Sequence, residues 1–264
     1  DGAPLVPIGG GKDSVVTVES LVAAGLAPVQ FAVNANAIIR RVAEVSGLPL
    51  VTATRTLDRH LLELNDDGAL NGHVPVTAIN SVIGLMVADA RGFGPVVLSN
   101  ERSSNVGNIE WLGRDINHQW SKSLAYETLL RDTLAQLGFN PDRYFSLLRG
   151  LSESQIADRF ATSPEYFGAF TSCNRLFALD PSRRASSWCG HCPKCQFVFV
   201  LLAPGGRKKY ERHASYERRS SAQTAAAMAA GVGAAAYLGH LLCERREFVS
   251  LEVYVAGTAA QAVA

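Results

Sequence analysis

The sequence predicts an α/β domain built on an open, mainly parallel sheet with helices on both faces. Three observations carry that prediction. Short β-rich runs alternate with single helical stretches, the first β-rich run passes through a glycine-rich loop straight into a helix, and the composition is that of an ordinary globular chain: 47% hydrophobic and 19% charged over 264 residues. Strands separated by single helices imply right-handed crossovers, hence parallel pairing with both sheet faces covered.

The elements follow in order. Pro4 to Ile8 reads as a strand, Ser14 to Ala24 as a helix, Pro28 to Asn34 as a strand, Ala37 to Ser46 as a helix and Leu48 to Thr54 as a strand. Val76, Ile79, Ile83, Val87 and Ala90 fall at helical spacing and predict a helix over Val76 to Ala90, followed by a strand over Pro95 to Leu98. A helix over Tyr126 to Leu137, a strand near Tyr144 to Leu148 and a helix starting around Ser152 complete the regular part. Residues 1–204 are expected to form one catalytic domain. Residues 205–264 form a tail, basic over Gly205 to Arg219 and nearly all Ala and Gly over Ala222 to Ala236. Such a low-complexity segment is compatible with helix, linker or disorder.

Charge and hydropathy exclude some function classes. Lys plus Arg total 25 against 24 Asp plus Glu, so no basic field favours a nucleic-acid backbone, and the basic run near the end reads as a solvated tail. The longest apolar runs, such as Phe197 to Ala203, fall far short of the roughly 20 residues that span a bilayer, so no membrane helix is expected. The chain enters a strand directly after Asp1, which leads us to expect a natural start further upstream.

The sharpest local signal is Ile8-Gly9-Gly10-Gly11-Lys12-Asp13-Ser14, between a predicted strand and a predicted helix. Glycines let a backbone approach a phosphate closely, and the free N–H groups and dipole of the helix start attract its charge. Ser14 can donate a hydroxyl hydrogen bond and Lys12 can add a point charge. A Walker A loop needs Gly-Lys-Ser/Thr, whereas Lys12 is followed by Asp13. A carboxylate there repels phosphate unless it holds the loop's N–H groups or binds Mg²⁺, so Asp13 points to a metal-bound nucleotide. The alternative is a glycine-rich turn without a ligand. A second candidate region is the polar loop Ser99-Asn100-Glu101-Arg102 after the Pro95 to Leu98 strand, because loops at strand C-termini line the ligand crevice of open α/β sheets.

Four of the five cysteines, Cys173, Cys189, Cys192 and Cys195, fall in two overlapping C-x-x-C steps plus one upstream thiol. In a chain of this length that pattern reads as a metal site rather than a disulfide framework, and a reducing, cytoplasmic setting is expected. Four thiolates suit a closed, structural Zn²⁺ site, which would stitch the C-terminal segment to the sheet; an iron–sulfur or redox role is the rival. His191 reads as a loop residue.

Gly10, Gly11, Asp13 and Ser14 match, position by position, the Ser-Gly-Gly-x-Asp-Ser loop of the ATP pyrophosphatase (PP-loop) superfamily, with Gly9 in place of the leading Ser. Zinc-binding cysteine clusters occur at a similar place in its 7-cyano-7-deazaguanine synthases. Further stretches narrow the resemblance: Gly72-His73-Val74-Pro75-Val76-Thr77-Ala78-Ile79-Asn80-Ser81, Ser99 to Ser103, Asn117-His118-Gln119-Trp120-Ser121-Lys122-Ser123 and Tyr144 to Arg149. Over about Leu5 to Pro204 the chain resembles the ATP-dependent UDP-N-acetylmuramoyl-L-alanyl-L-glutamate epimerases of bacterial peptidoglycan synthesis. Members of that family carry a further N-terminal region, and the tail beyond Gly205 does not resemble their ends.

The resemblance implies an adenine nucleotide alpha hydrolase-like fold, a small nucleotide-sugar peptide substrate, ATP with Mg²⁺, and a specific reaction. The glutamate α-carboxylate is adenylated with release of pyrophosphate, which acidifies its Cα–H; a base removes the proton, an acid returns it on the other face, and hydrolysis releases AMP. His118 is the first candidate for proton transfer, because imidazole titrates near neutrality; a structural hydrogen bond is its alternative role. Glu101 and Lys122 compete for the second position. Asn100 and Arg102 are candidate clamps for phosphate or substrate carboxylate, a role also open to Lys122. Gly9, Gly10, Gly11, Lys12, Asp13 and Ser14 would hold ATP. Rival readings are another AMP-forming PP-loop ligase or amidating enzyme, and a nucleotide-binding module without catalysis.

Overall fold

Two compact units, Asp1–Ile156 and Ala157–Ala264, divide the chain. The structure, a computed structural model, describes residues 2–69, 74–107, 109–178, 182 and 184–213, with 62, 65, 177 and 204–213 described by their backbone alone. The Gly72-His73 pair, Cys243 and the Ala-rich tail lie outside the described residues.

In the first unit, β1 (Leu5–Pro7), β2 (Val29–Val33), β3 (Leu50–Ala53), β4 (Val96–Leu98) and β7 (Tyr144–Ser146) form one sheet in the order β3-β2-β1-β4-β7. Every neighbouring pair in it is parallel. The order reverses between β1 and β4, which makes their C-terminal ends the switch point of the sheet.

The two-residue period of the strands sorts the core into two layers. Val6, Ile8, Ala32 and Val97 face Val18 and Leu21 of α1 (Lys12–Ala23) and Ile39 and Ala43 of α2 (Ala37–Ser46). The alternate positions Leu5, Val29, Phe31, Val96, Leu98 and Tyr144 face Ala88 of α4 (Val76–Ala90), with Tyr126, Leu130 and Leu134 of α5 (Leu124–Gln136) packed against them. Helices thus cover both faces, as the alternation of elements predicts.

Local chemistry sets the helix ends. Asn36 caps α2 by accepting from Ile39 N at 3.0 Å, and Gly47 closes it in the left-handed region. Ser123 caps α5 by accepting from Tyr126 N at 3.2 Å. Gly84 of α4 sits 3.5 Å from Phe31 and Val96 by its notional Cβ, so α4 lies close on the sheet. Gln30 on β2 is buried, and its amide donates to Ala43 O, Ser46 Oγ and Leu48 O, which ties the strand to the end of α2.

Three features depart from the sequence reading. α1 opens at Lys12 rather than Ser14, which places Lys12 and Asp13 in the first helical turn. A short α3 (Arg59–Asp66) precedes α4. An antiparallel ribbon, β5 (Ile109–Trp111) and β6 (Arg114–Ile116), rises between the β4 loop and α5, turning through Leu112 and Gly113, both at positive φ.

In the second unit, Phe160, at the end of α6 (Glu153–Phe160), stacks on Phe167 and Phe170, and Phe170 meets Trp188 edge-on at 5.1 Å. α7 (Pro193–His213) buries Cys195, Val198 and Leu202 and continues as helix past Pro204. Among the described residues, no helix is long and apolar enough to cross a membrane.

Candidate active site and metal centre

The loop from β1 to α1 stands at the switch point. Gly10 adopts φ +81, and a Cβ there would lie 2.9 Å from Ile38 Cγ2 of α2, so backbone and packing both require glycine. Gly9 is exposed, and a Cβ on it would meet nothing within 4 Å. Gly11 is the N-cap of α1, extended, with no side-chain cap hydrogen bond. The first N–H groups of α1 therefore have no side-chain cap from Gly11 and lie at the positive end of the helix dipole, an environment that favours negative charge.

The side chains of this turn are arranged differently from a simple phosphate clamp. Ser14 Oγ donates to Gly11 O at 3.1 Å and braces the loop. Lys12 is only 2% exposed, and its ammonium pairs with Asp13 and with Glu153 at the start of α6. Burial pulls the Lys12 pKa down, but the two carboxylates and their hydrogen bonds outweigh it and leave it above the ordinary 10.5. Lys12 thus neutralises and orients carboxylates, while Asp13 remains partly exposed beside the helix start.

The second loop follows β4. Asn100 is buried, and its amide donates to Ser146 Oγ at 3.1 Å, joining the ends of β4 and β7. Ser99 Oγ, one residue earlier, is a buried hydroxyl that takes no hydrogen bond. Glu101 accepts from Ser103 Oγ at 2.9 Å, and Arg102 is exposed at the head of a 3₁₀ turn. His118 is exposed between Asn117 and Gln119, and Lys122 ends the short turn before α5.

Arg149 gathers these segments. Its Nη1 donates to Glu101 O at 3.2 Å, Ser104 Oγ at 2.9 Å and Lys122 O at 2.9 Å. Its Nη2 donates to Glu127 Oε2 at 2.8 Å and Ser146 Oγ at 3.2 Å. Glu127 completes the network by accepting from Ser146 N through its other oxygen. Ser104 Oγ also donates to Lys122 O, and Asn117 Nδ2 to Ser104 O at 2.8 Å. The main chains bearing Glu101 and Lys122 are therefore tied to one guanidinium, and Asn117, next to His118, is tied to Ser104. Sequence reasoning named Arg149 within a stretch but gave neither it nor Glu127 a role. The signal was available: Glu127 lies in phase with Leu130 and Leu134 on the inward stripe of α5, where a carboxylate needs a partner.

The cysteine cluster belongs to the second unit. Cys173, Cys189, Cys192 and Cys195 are free thiols whose Sγ atoms all lie within 4.8 Å of one another. Cys173 to Cys192 and Cys189 to Cys195 are 3.8 Å apart and Cys192 to Cys195 is 3.4 Å, against about 3.8 Å for the edge of a tetrahedral thiolate site with Zn–S near 2.3 Å. Cys192 N donates to Cys189 Sγ and Cys195 N to Cys192 Sγ, both at 3.4 Å, so each C-x-x-C turn aims an N–H at a sulfur. Burial pushes the Cys195 and Cys173 thiols up. It acts the same way on Cys189, where N–H donors from His191 and Cys192 and the neighbouring thiols outweigh it and bring the value to about 7. The set can hold a metal such as zinc.

The sequence matches the family models for the MurL N-terminal domain over residues 1–147 and the MurL C-terminal domain over residues 169–214. The second match extends beyond Pro204, where the resemblance read from the sequence stopped. Among curated proteins, the UDP-N-acetyl-alpha-D-muramoyl-L-alanyl-L-glutamate epimerases of a Micromonospora species and of Salinispora tropica are each 52% identical over 202 residues. The protein of the same name from Xanthomonas oryzae pv. oryzae is 46% identical over 201 residues. In each case the alignment covers 76% of this chain and 44% of the relative.

Proposed function

The chain belongs to the MurL family, and on that premise we propose that it epimerises the terminal L-Glu of UDP-N-acetylmuramoyl-L-alanyl-L-glutamate to D-Glu through an acyl adenylate formed from ATP. The observation that carries this reading is the β1–α1 turn. Its obligate glycine at Gly10, uncapped helix start and adjacent Asp13 lie at the switch point, beside the β4 loop that bears Glu101 and Arg102.

A glutamate carboxylate oxygen attacks the α-phosphorus of ATP, the bond to the bridging oxygen breaks, and pyrophosphate leaves. The backbone N–H groups of Gly9 to Gly11 and the start of α1 hold the phosphates, and Asp13 would hold a magnesium ion that neutralises them. The acyl adenylate can accept charge on its carbonyl oxygen, which a free carboxylate cannot, so the Cα–H becomes acidic. His118 and one of Glu101 or Lys122 flank Cα, one taking its proton and the other delivering one to the opposite face. Water then attacks the acyl carbon, and AMP and the D-Glu carboxylate separate. Arg102, exposed, serves as carboxylate or phosphate clamp, while Asn100 holds the loop through Ser146. Zinc held by the four thiolates is structural, crosslinking Cys173 to the 189–195 segment.

The test is substrate-dependent pyrophosphate release from ATP. Asp13→Ala should abolish it; unchanged release in that variant would overturn the assignment of the glycine loop.

A further inference from the structure

Among the described residues, the two loops that carry the proton-transfer candidates bury only polar side chains, Asn100, Ser104, Ser121 and Ser123. Between them rises the β5–β6 ribbon, whose Ile109, Trp111 and Ile116 are exposed, with Leu112 at its tip 86% exposed. Around it the chain turns in two short 3₁₀ segments, Arg102–Asn105 and Trp120–Lys122. Trp120 meets Tyr126 of α5 edge-on at 5.5 Å, but among the described residues no buried apolar side chain of either loop joins Glu101 to Lys122. A polar hub does so instead: Arg149 reaches both backbone carbonyls and Ser104 from one nitrogen, and its other terminal nitrogen is fixed by Glu127, the pair being 14% and 7% exposed. A buried ion pair contributes little net stability compared with apolar side chains of the same volume, so its value here lies in fixing register. The planar fork of a guanidinium suits that task, since it bridges several acceptors at fixed angles where an ammonium acts as one point.

The glycine loop is held by other contacts. Gly10 rests against Ile38, and Lys12 of α1 pairs with Asp13 and Glu153. None of these contacts involves Arg149. We propose that Arg149 is a positioning residue for the second half of the reaction alone: it holds the Glu101 and His118–Lys122 loops in register for exchange at the substrate α-carbon and leaves adenylate formation to the β1–α1 turn. This rests on the reaction proposed above.

The experiment compares the full chain with its Arg149→Lys and Ser104→Ala variants in D₂O with UDP-N-acetylmuramoyl-L-alanyl-L-glutamate, ATP and Mg²⁺, reading pyrophosphate, AMP and deuterium at the glutamate Cα. Arg149→Lys keeps a cation opposite Glu127 but cannot serve all the acceptors. It should retain pyrophosphate release while deuterium gained per AMP falls on the order of a hundredfold, the scale of loss that a displacement of about 1 Å produces. Ser104→Ala removes one of those acceptors and the hydroxyl's own donation to Glu101 O and Lys122 O, leaves the Arg149–Glu127 pair in place, and should show the same split more weakly. Equal loss of both signals in the two variants, or loss of neither, overturns the proposal. Pyrophosphate release without deuterium in the unmodified chain overturns the epimerase reading itself and this inference with it.

Discussion

Lys12 and Glu153, 141 positions apart in the sequence, form a buried ion pair at the first turn of α1, with Asp13 sharing the same ammonium. The glycine loop is thereby fastened to the start of α6, and the lysine that the sequence offers to a phosphate is committed to carboxylates. Its pKa is raised above 10.5 in the folded chain because the carboxylates outweigh burial. The stability this group contributes is present in full below the unfolded value and is lost as pH rises through the higher folded value. Urea unfolding followed from about pH 8 to about pH 11.5 should therefore show a steeper alkaline loss in the unmodified chain than in Lys12→Met; parallel curves would contradict the pairing.

Gly10 and Gly9 differ in what they tolerate. Gly10→Ala forces a Cβ against Ile38 and holds alanine at φ +81, so it should cost at least about 1–2 kcal/mol from the left-handed backbone alone and reduce pyrophosphate release. Gly9→Ser enters open space and restores the hydroxyl that leads the PP-loop pattern; its stability should stay within about 0.5 kcal/mol, with ATP affinity equal or tighter. Thermal melts and the KM for ATP check both.

The four thiols are expected to retain one zinc ion per chain on purification, measured by mass spectrometry of the metal content. Cys195→Ser should lose it and lower Tm by roughly 5 °C or more, since about 1 kcal/mol of lost linkage shifts Tm by about 2–4 °C in a chain of this size. A metal-free chain with unaltered Tm would argue against the structural role.

His118→Ala should spare pyrophosphate release and slow deuterium exchange at Cα by about 10²- to 10⁴-fold, the usual contribution of a general acid or base. Equal loss of both would make His118 a binding residue.

Much of the first unit was legible because its strands and helices follow strict periods. Val76–Ala90 matches the predicted helix at both ends, and the Asn36 and Gly47 caps mark α2 in the sequence itself. The β5–β6 ribbon was not legible: its strands are three residues long, and its turn places Leu112 at positive φ where Asn or Gly would have given the signal. α3 was missed because it is short and polar, between two loops. In the site, the glycine loop and the cysteines announce themselves by spacing, whereas the partners of Lys12 and Arg149 do not. Glu153 and Glu127 come from distant segments, and only the sheet order brings them to the switch point. Side-chain chemistry is readable from residue type; who neutralises a buried charge is a property of the fold.

In the proposed reaction, adenylation at the β1–α1 turn drives epimerisation at the neighbouring loops. The most direct test incubates the chain with UDP-N-acetylmuramoyl-L-alanyl-L-glutamate, ATP and Mg²⁺ in D₂O. AMP, pyrophosphate and deuterium at the glutamate Cα are expected, all three only when substrate and ATP are both present. AMP and pyrophosphate without deuterium, or deuterium without ATP, would sink the coupling of adenylation to epimerisation.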